Sequence, residues 1–140
     1  MILKKVNIAP LACPRPRINR KTGGVYYPKS YTDWRHDSSY IIKSLGLDPI
    51  EDKNKPITLH VMFYLKGVVA QEHTKKPDLD NLIKAFMDLL VDSGLLPDDA
   101  QIHDIRASKH HLPAGIEPCI YFAIEETIAV YNQFNRDSLI

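Results

Sequence analysis

Two cysteines are all that the 140 residues contain. Cys13 and Cys119 have no metal-type spacing and build no disulfide framework, so a stapled secreted scaffold and a zinc ribbon are both excluded. A reduced, cytoplasmic compartment is the expectation. No apolar run approaches the roughly 18 residues that a bilayer span requires, so no membrane partner is expected. The start, Met1 to Lys5, lacks the charged-then-apolar order of a signal peptide. Internal repeats and low-complexity tracts are missing as well. At this length the pattern fits one domain over 1–140, since two would each be too small to bury a good core.

Two further absences are local. Residues 1–32 contain no acid but seven Lys or Arg, whereas residues 33–140 hold eleven basic and seventeen acidic residues. The overall charge of +1 therefore hides a +7 arm and a −6 remainder. Between 78 and 104 there is no Glu, and seven Asp (78, 80, 88, 92, 98, 99 and 104) face a single base, Lys84. Helical propensity alone favours Glu over Asp there. Short carboxylates on turns and caps are held more rigidly than Glu, which suits a cation site.

The periodicities give an order of β-α-β-α-β-β, hence the α+β class: a mixed four-stranded sheet with two helices packed on one face. Residues 2–9 read as a short strand with Ile2, Val6 and Ile8 on one side. Pro10 to Lys29 has four prolines, two adjacent glycines, five basic residues and no periodicity, and reads as a basic loop. Ser30 offers an N-cap to a first helix, with Asp33 as a weak capping-box partner and Trp34, Ile41 and Leu45 on one face. Residues 56–65 form the clearest strand, with Ile57, Leu59, Val61, Phe63 and Leu65 alternating with polar or larger neighbours. His60 on this strand reads as a satisfied polar residue and not as a ligand. A second helix begins near Asp78–Asn81 and stops at Ser93-Gly94. Strands follow at about 101–109 and 116–126, then a tail over 128–140 with Val130, Tyr131 and Phe134.

Asp78 and Asp80 point about 200° apart if both are helical, but the same way in extended chain. They converge only if one lies outside the helix, which Pro77 favours. A helix start also stabilises negative charge. Taken alone, Asp-x-Asp is a weak signal that a plain N-cap explains better. An EF-hand is excluded, because a loop starting at Asp78 has Ile83 where it needs glycine. Asp98-Asp99 lies one helix and a return away, and the geometry allows, without requiring, its return beside Asp78 and Asp80. Gathered carboxylates stay ionised only around a cation, and oxygen-only ligands favour Mg²⁺, with Mn²⁺ able to substitute. Lys84 has two readings: an i, i+4 salt bridge to Asp80, or a cation acting on a phosphate.

The run Lys76-Pro77-Asp78-Leu79-Asp80-Asn81-Leu82-Ile83-Lys84-Ala85-Phe86-Met87-Asp88-Leu89-Leu90, followed by Gly94, Asp98-Asp99-Ala100-Gln101 and Lys109, closely resembles the RusA family of Holliday-junction resolvases. The match is dense over about 35 residues. The resemblance implies a homodimeric, Mg²⁺-dependent crossover junction endonuclease acting on branched DNA in bacterial or phage-infected cells. It implies catalytic roles for Asp78, Asp80, Lys84 and Asp99, with Asp98 an accessory metal ligand. Arg15, Arg17, Arg20, Lys21, Lys29, Lys75 and Lys76 are the expected phosphate contacts. The segment Glu72-His73-Thr74-Lys75-Lys76 departs from the Arg-rich run of some members, and the tail is additional. Two other readings stay open: a non-catalytic module that binds branched DNA, and a nuclease acting on other branched or phage DNA.

Overall fold

The computed structural model describes residues 2–66 and 76–127; Lys75 and the 128–140 tail, with Val130, Tyr131 and Phe134, lie outside them. The elements are β1 (Lys4–Val6), β2 (Arg17–Ile18), β3 (Val25–Tyr26), α1 (Lys29–Lys43), β4 (Ile57–Lys66), α2 (Leu79–Asp92), a 3-10 turn (Asp99–Gln101), β5 (Ile102–Leu112) and β6 (Cys119–Glu126). The main sheet runs β1-β6-β4-β5, with β4 parallel to β5 and antiparallel to β6, and β1 antiparallel to β6. This is the expected mixed sheet. The expected loop over 10–29 contains a small separate hairpin, β2–β3.

β4 is the centre of the core because both its edges are paired and its inward residues are all apolar. Ile57, Leu59, Val61, Phe63 and Leu65 are buried, as the strict alternation requires. Against them α2 lays Leu82, Phe86, Leu89 and Leu90, all buried in the same cluster, and α1 contributes Ile42. Phe86 meets Phe63 and Phe122 edge-on, with centroids 6.1 and 5.2 Å apart. Quadrupolar rings favour this arrangement over face-to-face stacking.

α2 ends as its sequence indicates. Gly94, at φ +80°, donates its N–H to Val91 O, and Leu95 N–H reaches Leu90 O at 3.1 Å. That pair of bonds is a Schellman closure, and the buried Leu95 seals it. α1 differs from expectation at its start and at one position of its face: Trp34 and Leu45 pack against the core as expected, but Ile41 does not. Its N-cap is Pro28, with no side-chain cap, and Asp33 instead pairs with Lys29 at 2.6 Å. Pro28, already extended at φ −55° and ψ 145°, sets the entry, so Ser30 falls inside the first turn. The buried residues are Tyr31, Ser38, Ser39 and Ile42, while Ile41 is exposed. In β1, Val6 is buried, as is Ile8 just beyond it, but Ile2 is exposed. On the sheet face away from the core, His60 Nε2 meets Glu125 Oε1 at 2.7 Å, so it is a satisfied polar residue.

Truncating Phe86 to Ala should cost about 3–5 kcal/mol, because it opens a cavity between two other rings that the sheet holds in place. The urea midpoint should fall with the slope unchanged. A loss under about 1 kcal/mol is incompatible with this packing.

Candidate active site

The acidic residues are distributed by the β4-α2-β5 crossover. Asp78 is the N-cap of α2, extended at φ −71° and ψ 143°, and Asp80 lies in the first turn. One carboxylate is therefore outside the helix and the other inside, as their convergence would need. Pro77 stands before the N-cap and not at the first helical position. The Lys76 ammonium lies 2.8 Å from Asp78 Oδ2 and holds the Asp78 carboxyl below its usual range, with help from the charge of Lys109. Lys109, on β5, donates to Pro77 O at 2.9 Å and so ties the far end of β5 to the entry of α2. Asp80 turns back on its own backbone, accepting from Asn81 N–H at 2.9 Å, and is otherwise exposed.

The second acidic group sits at the other end of the crossover. Asp98 accepts from Ala100 N–H at 3.0 Å and caps the 3-10 turn that begins at Asp99. The two residues thus lie on a turn, and the strand starts only at Ile102. Partial burial pushes the Asp99 carboxyl up, and the hydrogen-bonded Asp98 carboxyl and the charge of Asp88 push the same way, while Lys84 pulls it down. Asp99 therefore belongs electrostatically with Asp98, Asp88 and Lys84. Three carboxylates around one lysine leave an excess of negative charge.

Asp80, Lys84 and Asp88 follow one another at i, i+4 and i+8 on α2, about 12 Å from first to last along the axis. Asp78 and Asp80 mark one end of that line. Asp99 is within electrostatic reach of Lys84 and Asp88. Among the described residues, no three His, Cys, Asp or Glu side chains stand close enough together to hold a metal ion. The donor chemistry, carboxylate oxygens only, suits a hard divalent cation, but among the described residues the donors fall into two separate groups.

Residues outside the expected set hold Asp88. The buried Tyr31 hydroxyl of α1 donates to Asp88 Oδ2 at 3.0 Å. Burial pushes its phenol well above the ordinary range, with Cys13 and Asp88 adding to the shift, so it is a donor at any physiological pH. Arg35 grips Asp92 with two bonds, Nε to Oδ2 at 2.7 Å and Nη2 to Oδ1 at 2.9 Å, and its Nη1 is 4.0 Å from Asp88 Oδ2. Tyr31 and Arg35 are four apart on α1, a spacing that shares a face. That spacing was the available signal, although nothing local says which helix the face meets. Gln101, buried, donates through its amide to Asp52 O and Lys55 O at 3.2 and 3.1 Å and thereby fixes the acidic turn.

Of the expected phosphate contacts, Arg15, Arg17, Arg20 and Lys21 lie exposed on or beside the β2–β3 hairpin. Lys29 and Lys76 are exposed and ion-paired, to Asp33 and Asp78. The hairpin is moored to the acidic region: Cys13 N–H donates to Asn81 O at 2.9 Å, one residue from Asp80.

The family model described as endodeoxyribonuclease RusA matches residues 7–122. The chain is also similar to the crossover junction endodeoxyribonuclease rusA of Enterobacteria phage HK97, at 32% identity over 88 residues, which is 62% of this chain and 67% of the phage protein.

Replacing Tyr31 by Phe should destabilise the fold by about 1.5–3 kcal/mol, because it removes a buried donor from a charged acceptor. Denaturant melts of the two proteins read this directly. A change within about 0.5 kcal/mol means that the hydroxyl does not hold Asp88.

Proposed function

The chain belongs to the endodeoxyribonuclease RusA family, and from that premise we propose that it resolves four-way DNA junctions by Mg²⁺-dependent paired hydrolysis of phosphodiesters in recombination and repair. The observation that carries the reading is the placement of the motif. Asp78 and Asp80 open α2, and Lys84, one turn after Asp80, acts by its charge on Asp99 of the second acidic group.

Asp78, Asp80 and Asp99, with Asp98 as accessory, are the residues that would hold Mg²⁺. When bound, such an ion activates water and neutralises charge on the scissile phosphate. Lys84 stabilises the negative charge that develops on that phosphate. Asp78 must exchange its Lys76 partner for the cation, which frees Lys76 to meet a phosphate. Arg15, Arg17, Arg20, Lys21 and Lys29 grip the DNA backbone without reading bases. A homodimer sets two such sites on opposing strands across a two-fold axis. It also offers a way to complete the ligand set, since a second copy can bring its carboxylates to a surface where the described residues of one chain gather fewer than three.

The direct test incubates the protein with a synthetic four-way junction and with linear duplex, each with and without Mg²⁺. Cleavage of the junction alone, and only with Mg²⁺, is expected. Inertness on both under all conditions is the result expected of a non-catalytic binding module.

Asp80→Asn should separate binding from cleavage. Asn is nearly isosteric, and its amide oxygen can keep the local bond from Asn81 N–H, so the melt should hold. Losing a ligand should lower the cleavage rate by orders of magnitude, whereas losing a negative charge should leave junction affinity without Mg²⁺ equal or higher. Normal binding with near-wild-type cleavage would remove Asp80 from the site.

If two copies complete the ligand set, Mg²⁺ affinity should track the dimer fraction. Calorimetric titration at protein concentrations above and below the dimer dissociation constant should give tight and weak binding respectively. Equal affinity at both concentrations places the whole ligand set within one chain.

A further inference from the structure

The β2–β3 hairpin combines features that the phosphate-gripping role does not use. Every residue from 15 to 26 is exposed. Ile18 and Val25 are 68% and 69% exposed, and in the hairpin register they stand directly opposite each other. Directly paired residues project from the same face of a ribbon, so the two make one uncovered, β-branched patch. Arg17 and Tyr26 form the next pair and project from the opposite face. Single exposed apolar residues are ordinary. A matched pair on a ribbon carrying Arg15, Arg17, Arg20 and Lys21, in a stretch of 32 residues without an acid, is a different matter.

A ribbon with two residues per strand does not hold itself together, and this one is braced from both ends. At the tip, Asn19 Oδ1 accepts from Lys21 N–H and Thr22 N–H at 2.9 and 3.3 Å, and Asn19 exchanges backbone bonds with Gly23 and Gly24 at 2.8 Å each. Gly23 supplies the positive φ of +72° that the turn needs. At the base, Cys13 is bonded to Asn81, and the Tyr27 ring lies 5.3 Å from that of Tyr31. Ile18 follows Cys13 by five residues, so it lies within about 17 Å of the Cys13 backbone that is bonded to the first turn of α2. That is about five base-pair steps along a strand.

Resting on the junction-cleaving function proposed above, we infer that the hairpin is a wedge: Ile18 and Val25 pack against base-pair faces exposed at the branch point, while the flanking cations hold the adjoining phosphates. A branch point offers unstacked base-pair faces, whereas linear duplex must first be unstacked at a cost of free energy. The apolar pair therefore favours branched over linear DNA, and the cations favour both alike. Preference for structure is separated from affinity for charge within one small element. The occupant is branched DNA because the arm is cationic and is anchored beside the carboxylates where the reacting phosphate must lie.

The test compares the full-length protein with the double variant Ile18→Thr, Val25→Thr, in the absence of Mg²⁺. Threonine keeps the β-branched shape and strand preference but removes the apolar surface. The probes are a synthetic four-way junction with 2-aminopurine at the branch point and a linear duplex of matching sequence. The double variant should lose about tenfold or more in junction affinity, keep its linear-duplex affinity and salt slope, and lose the change in 2-aminopurine fluorescence on binding. Its melting temperature should not move. An unchanged preference for the junction sinks the wedge and leaves the nuclease reading standing. Equal loss on both DNAs also overturns it, because the pair would then lie along backbone. Conversion of a dimer to a monomer by sedimentation assigns the patch to a second copy and overturns it too. If the wild type binds both DNAs alike, the junction reading fails first, and the wedge with it.

Discussion

Two parallel strands cannot be joined by a tight turn. That constraint organises this chain. β4 and β5 pair in parallel along their length, so the chain must leave the end of β4, travel back and re-enter beside its start. α2 makes the return. Its N-terminus consequently lies at the end of β4, and its C-terminus delivers the acidic turn at the start of β5. The motif residues are close in sequence because they bracket a single crossover, and they separate into two groups because a crossover has two ends.

The same helix is asked to be buried and exposed at once. Leu82, Ala85, Phe86, Leu89 and Leu90 are inside, and Asp80 and Lys84 are outside, with Asp88 half-covered by α1. Burying four large side chains contributes on the order of 6–12 kcal/mol before the opposing entropy is counted. That is ample to hold a face on which Asp98, Asp99 and Asp88 repel one another. A carboxylate cluster is unfavourable in isolation, and here it is tolerated because the core beneath it does not depend on it. Tyr31 and Arg35 then fix Asp88 and Asp92 from the neighbouring helix, so the register of α1 against α2 sets the electrostatic surroundings of Asp99.

Much of this was legible in the sequence, and the reasons differ by element. β4 follows from strict period-two alternation, and the end of α2 from Gly94, because both signals are local. The choice between Ile41 and Ile42 was not legible: two adjacent isoleucines fit almost the same helical stripe, and only the packing against the sheet picks Ile42. β5 looked muddled because it is an edge strand with unequal cover, leaving even Ile105 partly exposed. The hairpin was hidden because neither of its faces is buried, so it has no core-facing alternation to detect. As for the site, spacing and family resemblance single out the carboxylates as candidates. Their division into two groups could not be read this way, because it depends on how far along α2 the chain has returned when it reaches Asp98.

The Gln101 side chain carries a consequence for transferability. The acidic turn that it closes has little local stiffness, since a three-residue 3-10 turn capped by one aspartate is a weak structure. Its position is inherited from the carbonyls of Asp52 and Lys55, 49 and 46 residues upstream. An acidic-turn cassette cut out and grafted onto another scaffold would therefore carry its side chains but not their placement. Conversely, a change of length in the connection between α1 and β4, which holds no charged motif of its own, would propagate to the carboxylates. The motif's address is written in a part of the chain that a motif search never reads.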